Sequence, residues 1–140
     1  MHIICHTDGG ARGNPGIAGA GVFITDADGK VLKEVSKFLG HQTNNFAEYE
    51  AVVVALEEAK KIIPKAKRKM AEIDIRMDSE LVQRQLSGKY QIKEPTLFPK
   101  FIKIWNMRVA EFPNISFTHV RREQNKDADR LANHAMDAQE

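Results

Sequence analysis

A single carboxylate stands out when the segment from Thr43 to Ile63 is read as a helix. At 3.6 residues per turn, Ala47, Ala51, Val52, Ala55, Leu56, Ala59, Ile62 and Ile63 share one broad apolar arc. Glu48 projects near the middle of that arc, whereas Glu50, Glu57 and Lys61 project from the opposite side. A carboxylate facing the body of a protein is costly unless it meets a cation or is fully hydrogen-bonded. Glu48 is therefore a candidate for metal binding or catalysis, with an internal salt bridge as the plain alternative.

Two more carboxylates stand where strands end. Asp8 closes the apolar run Ile3–Thr7 and precedes a glycine-rich segment, and Asp78 closes Glu72–Met77 and leads into a helix. Strand ends of α/β sheets are where ligand sites collect. Each also has a local reading, Asp8 as a turn initiator and Asp78 or Ser79 as a helix cap. The last helix adds Asp127 and Asp129, which flank the stripe Ala128, Leu131, Ala132, Ala135 at similar angles, so periodicity does not choose between them. An all-carboxylate cluster suits a hard cation, Mg²⁺ or Mn²⁺. No softer site competes: His2, His6, His41, His119 and His134 lack ligand spacing, and Cys5 is the only cysteine. The glycine-rich stretch Gly9–Gly16 lacks the GxxxxGK[ST] pattern, which argues against a nucleotide P-loop.

The elements that must position these groups follow from period and punctuation. Ile3–Thr7, Ala20–Thr25 and Val31–Leu39 read as an antiparallel meander, with Gly9–Gly16 as a turn and Asp28-Gly29 as a hairpin signal. A helix from Thr43 or Asn44 to about Ile63 follows, limited by Pro64. Then come a strand Glu72–Met77, a helix Ser79–Leu86, a helix Leu97–Glu111, a strand Ile115–Val120 and a helix Gln124–Ala138. This order describes one α/β domain, residues 1–140, built on a mixed sheet.

Bulk properties bound the reading. With 140 residues, 42% apolar and 29% charged, the chain has the composition of an ordinary globular domain with one core. Lys plus Arg number 21 against 19 Asp plus Glu, a net charge of +2, which removes the crude signature of a strongly basic nucleic-acid binder but not a local basic surface. One cysteine excludes an intramolecular disulfide. The start of the chain lacks a signal-peptide pattern, and no 18-residue apolar run occurs. A soluble cytoplasmic protein, without a membrane partner, is expected.

Four blocks together resemble type 1 ribonuclease H: Thr7-Asp8-Gly9-Gly10-Ala11-Arg12-Gly13-Asn14-Pro15-Gly16, Thr43-Asn44-Asn45-Phe46-Ala47-Glu48, Asp78-Ser79, and Asn125 to Ala132. They occur in the family's order and span nearly the whole chain. The resemblance implies a ribonuclease H-like fold, a five-stranded mixed sheet with helices packed on it. It implies endonucleolytic hydrolysis of the RNA strand of an RNA/DNA hybrid, with 5′-phosphate and 3′-hydroxyl products. It places the metal-binding and catalytic carboxylates on Asp8, Glu48, Asp78 and Asp129, and so selects Asp129 over Asp127. Two Mg²⁺ ions, with Mn²⁺ as a possible substitute, are the implied cofactors. Gly13, Asn14, Asn44 and Asn45 resemble the family's hybrid-contacting groups, and a monomer without an obligate protein partner is expected.

Two departures qualify the likeness. Many relatives carry a histidine in the loop before the last helix; here that loop is Val120-Arg121-Arg122-Glu123-Gln124-Asn125, leaving Arg122 or Glu123 as the stand-in. The segment Gln85–Leu97 is too short for the basic protrusion of some relatives. The cations Arg84, Lys89, Lys93, Lys100, Lys103 and Arg108 against the single Glu94 then suggest a modest platform for the DNA strand, a solvated surface being the alternative. Lys60–Lys69 holds six more cations and reads as a solvated helix end. The competing functions are a noncatalytic nucleic-acid-binding module on the same fold and a nuclease of broader specificity that also cuts double-stranded RNA.

Overall fold

The computed structural model describes residues 1–139. Five strands form one sheet in the order β3-β2-β1-β4-β5: β1 (His2–Gly13), β2 (Gly16–Asp26), β3 (Val31–Gln42), β4 (Glu72–Met77) and β5 (Ile115–His119). The first three pair antiparallel, whereas β4 pairs parallel to β1 and β5 parallel to β4. The mixed sheet is therefore as expected. Four helices complete the domain: α1 (Asn44–Ile62), α2 (Glu80–Leu86), α3 (Phe98–Ala110) and α4 (Lys126–Asp137).

The strands of the meander are longer than the sequence pattern predicts, and the reason is local. The expected turn Gly9–Gly16 shrinks to the residues between Gly13 and Gly16, because Gly9 to Gly13 continue β1 in register with Gly16 to Ala20. Gly9 is there for close approach. A Cβ would overlap the backbone of Ala47 and Glu48, so the missing side chain lets the first turn of α1 lie directly on β1. On the opposite face, Gly19 and Gly21 of β2 do the same for α4: a Cβ on Gly21 would overlap the Ala128 carbonyl.

Alternation assigns the two faces. Ile3, Cys5, Val22, Ile24, Ile73, Ile75 and Met77 are buried together with Tyr49, Val52, Val53 and Leu56 of α1. α1 lies between this face and α3, which makes it buried nearly all round rather than along one stripe. Glu50, which helical periodicity sends to solvent, is consequently only 8% exposed, and it pairs with Lys100 of α3 at 2.7 Å. That expectation fails because a second layer covers the helix's outer side.

Caps set the helix starts. The Thr43 hydroxyl accepts from the Phe46 N–H, and the Ser79 hydroxyl accepts from the Val82 N–H. The last helix begins later than predicted, at Lys126, since Arg122–Gln124 form a separate 3₁₀ turn. Residues Lys65–Met70 form another 3₁₀ turn with no buried side chain, where Arg68 donates to the Ile63 and Lys60 carbonyls at the end of α1. Lys61, Lys65, Lys67 and Lys69 of that tract are exposed, as expected, and Lys60 is half-buried.

Candidate metal and nucleic-acid site

Three elements converge on one recess. Asp8 lies on β1 one residue beyond the last β1–β4 pair, Thr7 with Met77, and Asp78 directly follows β4. The close approach at Gly9 brings Glu48 of α1 down between them. One carboxylate oxygen from each of Asp8, Glu48 and Asp78 lies within 4.8 Å of the others. The recess has a cavity volume of about 360 Å³, and its walls include Asn44, Arg122, Asp129, Asn133 and the Gly9–Arg12 backbone stretch. Asp127 instead points to Arg130 on the surface. Asp129 is outside the tight triad but lines the same recess, where its charge acts on Asp8.

The electrostatics are those of carboxylates forced together. Burial first, then the Asp78 and Asp129 charges, push Asp8 up to about 8, against a smaller opposing pull from the Gly9 amide. Burial and the same crowding raise Glu48 well above the carboxylate range, with Gly9 and Arg122 pulling the other way. One oxygen of Glu48 is buried with no hydrogen-bond partner among the described residues. An unsatisfied buried carboxylate oxygen facing two others is an unfavourable arrangement by itself. A hard cation would satisfy it, and the all-oxygen donor set fits such an ion.

Several interactions hold the walls. The Asn125 side chain, buried just before α4, donates to the Thr7 carbonyl and ties that helix to β1 next to Asp8. Asn133, one turn beyond Asp129, donates to the Asp129 carboxylate at 3.2 Å, and its carbonyl accepts from Arg12, which also pairs with Asp137. Sequence reasoning missed Asn133 and Arg12. The available signals were the i, i+4 spacing from Asp129 and the position of Arg12 inside the glycine-rich block.

The three asparagines form a linked rim. Asn14 accepts from the Asn44 backbone N–H at 3.0 Å, Asn44 accepts from the Ala11 N–H at 2.8 Å, and Asn45 donates to Glu94 at 3.0 Å. Gly13, with φ +100°, makes the turn that carries Asn14. Of the two loop candidates, Arg122 reaches the recess and Glu123 is not among its lining residues. The expected basic platform is thinner than its composition: Arg84, Lys100 and Lys103 are engaged with Glu80, Glu50 and Glu57.

A sheet of this order and mixed polarity, with acidic side chains gathered where β1 and β4 meet the first turn of α1, defines the ribonuclease H fold class. A family model described as reverse transcriptase-like matches residues 6–135. The chain is 50% identical to LC11-RNase H1, isolated from compost by a metagenomic approach, with a TM-score of 0.93 over 99% of this chain and 97% of that one. Another crystal structure of that relative is in complex with an RNA/DNA hybrid. It is 39% identical to ribonuclease HI of Halobacterium salinarum over 135 residues, 96% of this chain and 64% of that protein. It is equally similar, over 139 residues, to bifunctional protein Rv2228c of Mycobacterium tuberculosis, of whose length it spans only 36%. The chain belongs to the ribonuclease H family, in its type 1 branch. Among the described residues, no helix is long and apolar enough to cross a membrane.

Proposed function

We propose that this chain is a single catalytic domain that hydrolyses the RNA strand of RNA/DNA hybrids, leaving 5′-phosphate and 3′-hydroxyl ends. The observation that carries the reading is the acidic triad with its unsatisfied Glu48 oxygen, set beside a rim of amide groups. Asp8, Glu48, Asp78 and Asp129 would hold two Mg²⁺ ions, with Mn²⁺ as a substitute. Bound divalent ions supply Lewis acidity at the scissile phosphate, favouring deprotonation of the attacking water and departure of the 3′ oxygen.

The protein's own groups account for the rest. Asp8, central among the carboxylates, orients the metal-binding cluster, and Asn133 fixes the Asp129 carboxylate toward it. Asn14, Asn44 and Asn45 lie along the rim where the minor groove of an A-like hybrid would run, suited to reading sugar hydroxyls and shape rather than sequence. Arg122 offers a cation to a phosphate at the edge of the recess. The same reading has the protein act as a cytoplasmic monomer, consistent with its single, buried Cys5.

A label on one strand of an RNA/DNA hybrid, an RNA duplex and a DNA duplex tests this directly. Cleavage of the hybrid's RNA strand with Mg²⁺ or Mn²⁺, lost in Asp8→Asn, is the expected result. Binding of hybrid without cleavage in either metal would leave a noncatalytic module instead, and preferential cutting of DNA would overturn the substrate assignment. Additional cutting of RNA duplex would widen the specificity without moving the active site.

A further inference from the structure

The polarity of each rim amide is fixed by a partner that can act in only one way. A backbone N–H only donates, so the side-chain oxygens of Asn14 and Asn44 are taken by the Asn44 and Ala11 amides, and both NH₂ groups face outward as donors. A carboxylate only accepts. Glu94 therefore takes the NH₂ group of Asn45, and the Oδ1 of this half-buried side chain has no hydrogen-bond partner among the described residues. The rim thus offers two donors and one acceptor, and the acceptor depends on one residue far away in sequence.

Glu94 is brought to that place by a braced loop. Buried Tyr49 of α1 donates to Gln85 at 2.7 Å, and Gln85 donates onward to the Gln91 carbonyl. The Glu94 carbonyl accepts from Leu97 at the start of the next 3₁₀ turn. Glu94 is also the one acidic residue between Arg84 and Arg108, a segment otherwise rich in cations. An acid beside a polyanion-binding surface weakens nonspecific attraction, so its presence asks for a specific use.

We propose that Glu94 is a positioning residue that locks Asn45 as a hydrogen-bond acceptor for the substrate. Asn45 then selects a donor in the minor groove, either an RNA 2′-hydroxyl or the exocyclic amino group of guanine. The inference rests on the hybrid-cleavage reading above. Without the carboxylate the Asn45 amide is free to turn over and present NH₂, and the selection disappears.

Glu94→Gln preserves shape while allowing Asn45 to adopt either orientation. Charge and positioning predict opposite signs. Removing a negative charge near the backbone of the substrate should lower KM if Glu94 acts only through charge, whereas loss of the lock should raise KM by about fivefold with kcat nearly unchanged. Steady-state cleavage with Mg²⁺ is to be measured on three hybrids: unmodified, carrying inosine for guanine, and carrying 2′-fluoro sugars at single RNA positions on either side of the cut. Wild type should lose about fivefold in kcat/KM with one of the two modifications, which identifies the donor, and Glu94→Gln should be indifferent to both. Asn45→Ala should show the same indifference, with no further loss when combined with Glu94→Gln. A lowered or unchanged KM in Glu94→Gln, or donor selection retained by that variant, would overturn the proposal while wild-type cleavage still stood. Absence of wild-type cleavage would instead overturn the hybrid-nuclease reading on which the proposal rests.

Discussion

Asp8 carries opposing demands that should be measurable in the protein without metal. Its folded-state pKa of about 8 lies above the ordinary 3.8 because burial, Asp78 and Asp129 all disfavour the charge. The fold therefore favours the neutral acid. The associated stability is fully present below about pH 4 and is lost as pH rises through about 8, with Glu48 acting in the same direction. Divalent cation replaces the proton, so the Tm difference between Mg²⁺ and EDTA should widen from pH 5.5 to pH 9. A constant difference across that range would show that the carboxylates are not the site of stabilisation. Asp8→Asn removes the charge and keeps the shape. In EDTA at pH 8 it should melt roughly 4 °C above wild type, while Mg²⁺-dependent cleavage disappears. Asn133→Ala tests the neighbouring support: releasing the Asp129 carboxylate should reduce activity roughly tenfold to a hundredfold, with little change in Tm.

At the scale of elements, the recess depends on how closely two helices approach the sheet. α4 reaches β2 only because Gly19 and Gly21 lack side chains. Gly21→Ala would force Ala128 and the rest of the first turn of α4 outward, at about 1–3 kcal/mol. The same shift would carry Asp129 away from Asp8, so urea unfolding and cleavage should deteriorate together. Loss of stability with full activity would mean that α4 does not fix the site. This dependence also explains what the sequence could and could not disclose. Strand and helix order and the strand-end positions of Asp8 and Asp78 are legible, since they rest on local pattern, whereas the caps are legible only as the pairs Thr43 or Asn44 and Asp78 or Ser79, between which the folded backbone chooses Thr43 and Ser79. Gly9 reads in sequence as part of a turn, because close packing by α1 leaves no local signature distinct from a turn glycine. Glu50 reads as solvent-facing for a similar reason: its burial is imposed by α3, whose position relative to α1 is a tertiary fact. The inward direction of Glu48 survived because the sheet-facing side of α1 is the one its apolar arc describes. Glu94 gave no signal toward Asn45, 49 residues away, since only the folded loop makes them neighbours.

Over the whole molecule, the net charge of +2 combines regions of different character. The carboxylate recess lies where β1 and β4 end. The cationic turn Lys65–Met70 immediately precedes β4 and so lies at the opposite end of the sheet, about 20 Å of strand away. Near the site, Lys89, Lys93, Arg121 and Arg122 are exposed, while Arg84, Lys100 and Lys103 are already paired with acids. Contact with about four phosphates would give a slope of about −3.6 in log K against log salt, or about a 150-fold loss of affinity between 50 and 200 mM KCl. Fluorescence anisotropy of a labelled hybrid with the cleavage-deficient Asp8→Asn protein reads this slope without turnover. Neutralising Lys89 and Lys93 together by glutamine should flatten it by about 1.8, whereas neutralising Lys65 and Lys67 should leave it nearly unchanged, because those charges lie at the far end of the sheet and are screened over the intervening distance. Equal flattening by both pairs would require the substrate to extend around the far end of the sheet, and the compact platform beside α2 would no longer describe how the domain holds its hybrid.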